Sequence, residues 1–440
     1  MPKLRVVIAG FAACVGSAAA QGTPAGLSPL ERTTARAVDA HNAEALALLE
    51  KIVNINSGTM NFAGVKDVAD VLRPQLESLG FKVTWVVGSA FKRAGHLIAE
   101  HPGSGPKILL IGHLDTVFEP SSPFQKFVRI NDSTATGPAV IDMKGGDVVM
   151  IFALRALKDA GQLDKMNITA VFDGDEEDAG RPLTLSRHAL IEAAAGASAA
   201  MGFEDGAGDP KSAVISRRSA TEWKLTTTGY PGHASQIFHD DMGAGAIFET
   251  SRILTEFYQK LSREPLLAFS PGLAIGGTMV NVDSTNTAGN ASGKNNVIAG
   301  KMTVTGDMRT ISPEQLKRTE AAMREIVSHH LPKTSGEITF DDGYPPMAPT
   351  DGNRRILGMY DRASRDLGFG AVAPVDPSKA GAADVAFIAN IVPMVIDGIG
   401  LSGHDDHSEK ETADLRMLPS QTKRAALLML RLSQLKAVTP

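Results

Sequence analysis

The chain has 440 residues, 43% of them hydrophobic, and a formal net charge of −5. That length exceeds what one hydrophobic core usually organises, so two domains are expected. The charge leaves no basic excess to hold a phosphate backbone, and acids and bases are mixed along the chain without an acidic or basic tail, so a nucleic-acid partner is not expected.

The N-terminus reads as a targeting segment. MPKLR supplies two positive charges, VVIAGFAACVG is a short apolar run, and SAAAQ offers small residues for a cut between Ala20 and Gln21. The run is too short for a permanent membrane-spanning helix. Export to the periplasm or the medium is expected, with residues 1–20 removed as a signal peptide. A lipoprotein anchored at Cys14 is the second reading. Cys14 is the single cysteine, so a mature chain without it has neither disulfides nor thiolate metal ligands. No later segment is apolar for long enough to be transmembrane.

Helices are expected over 42–55 and 65–79, the second closing at Gly80. A strand follows over 81–87. KILLIG, 107–112, is short and apolar after its opening lysine, as strands inside a parallel sheet are. Next come a helix over 143–157 with early glycines for close packing, a buried strand over 167–172, a helix over 185–194 and a strand over 199–203. This alternation predicts an α/β sandwich with a mixed, largely parallel sheet.

The pattern changes near residue 219. TEWKLTTT, 221–228, alternates as a half-exposed strand. A helix over 244–261, a strand over 301–309, a helix over 313–330 and a strand over 337–341 complete a small antiparallel sheet with two helices on one face. Residues 219–342 therefore read as an inserted α+β domain, and the α/β domain comprises 21–218 and 343–440. In its second part, helices are expected over 354–367 and 420–435, with an apolar strand over 393–397.

Chemistry-bearing residues gather at the ends of the expected strands or just after them, where open α/β sheets bind ligands. His113 follows KILLIG, with Asp115 two residues on, an imidazole beside a carboxylate able to orient it. Asp142 opens a helix in GPAVIDMKGG. VFDGDEEDAG, 171–180, crowds Asp173, Asp175, Glu176, Glu177 and Asp178 into one turn, although like charges this close repel. FED places Glu204 after a strand, and GHDDHSEKE places His407 and His404 in a polar loop. Each motif alone also fits a strand cap, a helix N-cap or a solvated turn. Together, nitrogen and oxygen donors without thiolate suit a hydrolytic zinc site. Five ligands suit two ions sharing a carboxylate, with a neighbouring acid free to act as base.

These motifs, with GHAS at 232–235, resemble the co-catalytic zinc hydrolases that include aminoacylase, succinyl-diaminopimelate desuccinylase and bacterial glutamate carboxypeptidase. The secreted glutamate carboxypeptidases are the most similar branch. The resemblance covers nearly all the chain after the signal segment. It implies a zinc-exopeptidase fold whose inserted domain is a dimerisation lid, and two Zn²⁺ per subunit. Asp142 would bridge the ions, His113 and Glu204 would complete one site, and Glu177 and His407 the other. Asp115 would orient His113, and Glu176 would be the general base. His233 would reach the partner subunit's site to stabilise an oxyanion, while Asn296, Arg309 and Gly381 would bind substrate. A cis peptide at Asp142–Met143 is also implied. Asp384, near Gly381, is left without a role.

The sequence departs from the family at Ala139, usually glycine, over 178–187 (DAGRPLTLSR), at Asp205, often proline, and after the lid motif in QIFHDDMG. These departures leave the substrate open. The expected activity is cleavage of an amide next to a free α-carboxylate, in an N-acyl amino acid, a folate or a short peptide. The alternatives are an N-acyl-amino-acid deacylase, a dipeptidase or aminopeptidase of the same fold, and a non-catalytic zinc- or peptide-binding protein. No G-x-S-x-G elbow supports serine hydrolase chemistry.

Overall fold

KILLIG lies at the heart of the fold. In the computed structural model, which describes residues 26–435, the strand Lys107–His113 is inside a six-stranded sheet. The expected signal peptide, its cleavage point and Cys14 lie outside the described residues. Side chains alternate across a strand. Ile108 and Leu110 enter one hydrophobic core, while Leu109 and Ile111 enter the core on the opposite face. Burial on both sides is why this strand carries no polar alternation.

Lys107–His113 pairs in parallel with Asn167–Asp173 on one side and Ala197–Gly202 on the other. Val395–Ile396 extends the parallel set beside Ala197–Gly202. On the other flank, Gly95–His101 and Lys82–Val87 add antiparallel strands, so the sheet is mixed. One core is roofed by the helices Pro29–Val53, Phe62–Ser78, Lys144–Asp159, Asp351–Asp366 and Met417–Ser433. His188–Ala194 and the turn Asp384–Ile388 cover the other. The glycines opening Lys144–Asp159 are needed there: a Cβ on Gly146 would lie 1.9 Å from the Phe203 carbonyl oxygen. Leu110 is fully buried. Leu110→Ala is expected to lower unfolding stability by about 2–5 kcal/mol, read as a lower urea midpoint.

Residues 221–342 build a second sheet with its own core. Its four antiparallel strands run in the order Ala268–Gly277, Lys301–Arg309, Thr221–Gly229, Thr334–Asp342. Thr221, Trp223, Leu225 and Thr227 are buried, as the alternation in TEWKLTTT predicts. Trp223 and Leu225 pack with Ile253 and Phe257 of the helix Gly245–Leu261 and with Met323 of Pro313–Ser328.

Several elements differ from expectation. The first helix begins at Pro29, well before 42, because Ser28 and Glu31 form a reciprocal capping box. Ala268–Gly277 is a strand despite AFSPGLAIGG. It lies at the sheet edge with a register shift at Pro271/Leu273, where a proline is tolerated. Gly95–His101 was also not expected. Its histidines, His96 and His101, are buried 2.8 Å from the Ser186 carbonyl and 3.0 Å from the Met166 carbonyl, so both are paired inside the fold. Among the described residues, no helix is long and apolar enough to cross a membrane.

Candidate metal centre

The sheet delivers its chemistry at the C-terminal ends of the parallel strands. His113 ends the central strand, Glu204 follows Ala197–Gly202 by two residues, and Glu177 lies in the turn after Asn167–Asp173. Asp142 precedes the helix Lys144–Asp159, after a cis Asp142–Met143 bond. His407 sits in the loop after Gly403–His404 with φ at 56°.

These five residues meet. His113 Nε2 lies 3.2 Å from Asp142 Oδ1 and 3.7 Å from Glu204 Oε1. His407 Nε2 lies 2.8 Å from Asp142 Oδ2 and 3.1 Å from Glu177 Oε2. Two triads result, His113–Asp142–Glu204 and Asp142–Glu177–His407, each with its donor atoms mutually within 4.8 Å. Asp142 presents one oxygen to each. His404, although nearby in sequence, belongs to neither triad.

The surroundings suit cations. Burial and the Asp142 carboxylate push Glu177 up to about 7, and burial raises Glu204 well above the carboxylate range. Against its own burial, Asp142 is held well below that range by hydrogen bonds from His113 and His407. Asp142 and then Glu177 push His407 up to about 11. Among the described residues, Glu177 Oε1 is buried without a hydrogen-bond partner. Acids outnumber the cations available from protein, and the all-nitrogen-and-oxygen donor set fits a pair of divalent ions.

The acids of VFDGDEEDAG separate into distinct tasks. Asp173 is buried beside His96, 3.0 Å from Nδ1. Asp175 turns inward and accepts from Gly180 N, Ser186 Oγ and Arg187 Nη1. Asp178 turns outward to Arg93, at 2.8 Å. Glu177 joins a triad. Glu176 belongs to neither triad and lines the adjoining cavity of about 470 Å³ with Asp142, Glu204 and His407. Burial, with Asp384 nearby, raises the Glu176 carboxyl well above its usual range.

Other side chains hold these turns. The Asp115 carboxylate accepts from the backbone N–H of Glu176 and of Glu177, each at 3.1 Å, and from Thr59 Oγ1 at 2.6 Å. His113 Nδ1 faces the Asp115 carbonyl at 3.2 Å and the carboxylate at 3.4 Å. Asp115 thus anchors the Glu176–Glu177 backbone as well as His113. Glu411 accepts from the N–H groups of Ala139, Ile141 and Asp142, fixing the turn that aims Asp142. Ala139 has φ at 60°, a conformation glycine adopts without cost.

Residues 109–431 match the description Peptidase family M20/M25/M40. The chain belongs to this family. Carboxypeptidase G2 of Pseudomonas sp. (strain RS-16) is 27% identical over 391 residues, covering 87% of this chain and 88% of that protein. Aminopeptidase PepT of Bacillus cereus shares the fold, with a TM-score of 0.71 at 17% identity, over 89% of this chain and 99% of that one. So does a dinuclear metal-binding peptidase of the M20 family from Bacillus subtilis, with a TM-score of 0.63 at 16% identity over 90% and 99%. As a member of family M20/M25/M40, this chain is a hydrolytic enzyme.

Not every residue singled out by sequence reaches the centre of this M20/M25/M40 enzyme. Gly381 lines the cavity, and a Cβ there would meet no atom within 4 Å. Asp384 is buried against Arg187. His233, Asn296 and Arg309 stand apart, since no residue of 219–342 lines the cavity within one chain. His233 is exposed, with Nδ1 2.8 Å from Ser235 Oγ. The Asn296 carbonyl accepts from Ala234 N, which places it beside His233. Arg309 donates to Asp307 at 2.8 Å.

Arg217 was not foreseen. It lines the cavity, and Asp397 accepts from its Nε and Nη2. Its Nη1 reaches the Gly381 carbonyl at 3.4 Å. The one available signal was the pair Arg217–Arg218, one serine after the apolar run 213–215.

Proposed function

We propose that the chain is a zinc-dependent, glutamate carboxypeptidase-like hydrolase. It cleaves an amide next to a free α-carboxylate, releasing C-terminal glutamate or a similar residue from N-acyl amino acids, folates or short peptides. The observation that carries this reading is Glu176 on the cavity wall, beside two ligand triads that share Asp142.

His113, Asp142 and Glu204 would hold one zinc ion, and Asp142, Glu177 and His407 the other. When bound, such a pair activates water at neutral pH and polarises a carbonyl. The Glu176 carboxylate takes a proton from the attacking water and delivers it to the departing amine nitrogen. Arg217 and Lys379, both on the cavity wall, supply positive charge for a substrate carboxylate. The likeness to carboxypeptidase G2 supports the carboxypeptidase direction.

The chain works as a homodimer through residues 219–342 in this reading. His233, Asn296 and Arg309 then act on the partner's cavity, which fits their distance from their own. Export to the periplasm or medium belongs to the same reading, supported by the signal-like composition of residues 1–20. A dipeptidase or aminopeptidase is the second reading, favoured by Asp205, Asp405 and Asp406 on the same cavity wall, where they could hold a free α-amine.

The test is hydrolysis of folate, N-acetyl-glutamate, N-acetyl-methionine, N-acetyl-phenylalanine and Ala-Glu by purified, zinc-loaded protein. Turnover of folate and N-acetyl-glutamate above the other acyl amino acids is the expected result. Cleavage of Ala-Glu alone selects the second reading. No turnover with two zinc ions bound overturns both.

A further inference from the structure

We infer that Arg187 and Tyr344 are positioning residues for Glu176, an inference that rests on the proton-carrying role proposed above for Glu176. Arg187 is completely buried. Its guanidinium serves several chain segments at once. Nη1 donates to Asp175 Oδ1 at 2.6 Å and Nη2 to the Asp175 carbonyl at 3.0 Å. Nε donates to Asp384 Oδ1 at 2.8 Å, and Nη2 also donates to Tyr344 Oη at 2.6 Å. The Tyr344 hydroxyl in turn donates to the Glu176 carbonyl at 2.7 Å.

The two side chains therefore hold consecutive carbonyls, those of Asp175 and Glu176. Asp115 already holds the N–H groups of Glu176 and Glu177 from the other side. The Glu176 backbone is thus fixed through both its N–H and its C=O, which leaves side-chain torsions as its main freedom. A buried guanidinium with several charge-assisted bonds is well suited to this, because its planar fork loses little entropy per bond.

The segments joined are functional ones. Asp384 closes the stretch that includes cavity-lining Gly381. Tyr344 follows the last strand of the second sheet, and its carbonyl accepts from Ala220 N where the chain enters that sheet. Tyr344 also packs its ring edge-on to Phe387, with centroids 4.9 Å apart, and Arg187 lies over both rings. Removing the hydroxyl alone keeps that packing.

The experiment compares Tyr344→Phe and Arg187→Met with wild type as full-length, zinc-loaded protein. Steady-state kinetics on N-acetyl-glutamate, zinc content and amide hydrogen exchange over residues 174–180 are measured. For Tyr344→Phe, kcat is expected to fall about 10- to 100-fold, the effect of a small misplacement of a reacting group. KM and zinc content stay at wild-type values, while exchange over 174–180 speeds up. Arg187→Met shows the same loss, more strongly, wherever it folds.

Unchanged exchange over 174–180 in Tyr344→Phe overturns the inference, whatever its activity. Loss of zinc and of melting temperature in step with kcat also overturns it, in favour of a purely structural role. A wild-type enzyme inactive on every substrate overturns the proposed function instead, and exchange then decides the positioning of Glu176 by itself.

Discussion

Glu176→Gln is expected to lower kcat by about 10²- to 10⁴-fold, the usual worth of a positioned acid–base group. Zinc content and KM should stay near wild type. The substitution keeps shape and removes only the ability to take and return a proton. Glu176 lies in neither ligand triad, so its loss need not cost a metal ion. Its backbone N–H and carbonyl are held by Asp115 and Tyr344 through bonds that do not involve the carboxyl being changed. The turn should therefore keep its course. Kinetics on the best substrate of the panel, with zinc measured by elemental analysis on the same sample, separates the possibilities. Full activity in the variant would remove Glu176 from the mechanism. Lost activity with lost zinc would make it a ligand and leave the base unassigned.

What could be read from sequence was whatever a local pattern imposes. KILLIG declared a strand covered on both faces because Ile108 and Leu110 meet one core and Leu109 and Ile111 the other. TEWKLTTT declared a half-buried strand by its alternation, and the structure buries Thr221, Trp223, Leu225 and Thr227. The capping box at Ser28 is equally local, and it starts the first helix at Pro29 rather than at the expected residue 42. AFSPGLAIGG hid a strand because edge position and a bulge override its proline and glycines.

The candidate centre was legible through its motifs, since each ends a strand or begins a helix, and the structure brings all five proposed ligands together. Within VFDGDEEDAG the resemblance distinguished Glu176 from Glu177, but the tasks of Asp173, Asp175 and Asp178 were not legible. Asp175 turns to Arg187, 12 residues on, and Asp178 to Arg93, 85 residues back, and the turn itself encodes neither choice. Arg187 meets Asp384 across 197 residues of sequence, and Arg217 meets Asp397 across 180. No periodicity encodes such pairs, so Arg217 and the Arg187–Tyr344 contact emerged only in three dimensions.

Asp142→Ala is expected to abolish turnover and to empty both metal positions together. Asp142 is the one residue common to the two triads, with Oδ1 toward His113 and Oδ2 toward His407. Its removal leaves each triad with two donors. It also takes away the anion that balances two imidazoles, in a region where Glu177 and Glu204 are pushed toward their neutral forms by burial. His113→Ala is the informative contrast. It breaks only the triad with Glu204, and Asp142, Glu177 and His407 remain to hold one ion. Zinc content should then fall from two per chain to near one in His113→Ala, but well below one in Asp142→Ala. Because a metal bound only by the folded state stabilises it by mass action, the melting temperatures should follow the same order, wild type above His113→Ala above Asp142→Ala. Equal zinc losses in the two variants would mean that the triads fill as a unit, so that sharing Asp142 matters less than filling order. Two ions retained in Asp142→Ala would refute the bridging assignment, and with it the claim that one carboxylate makes two sites of this arrangement.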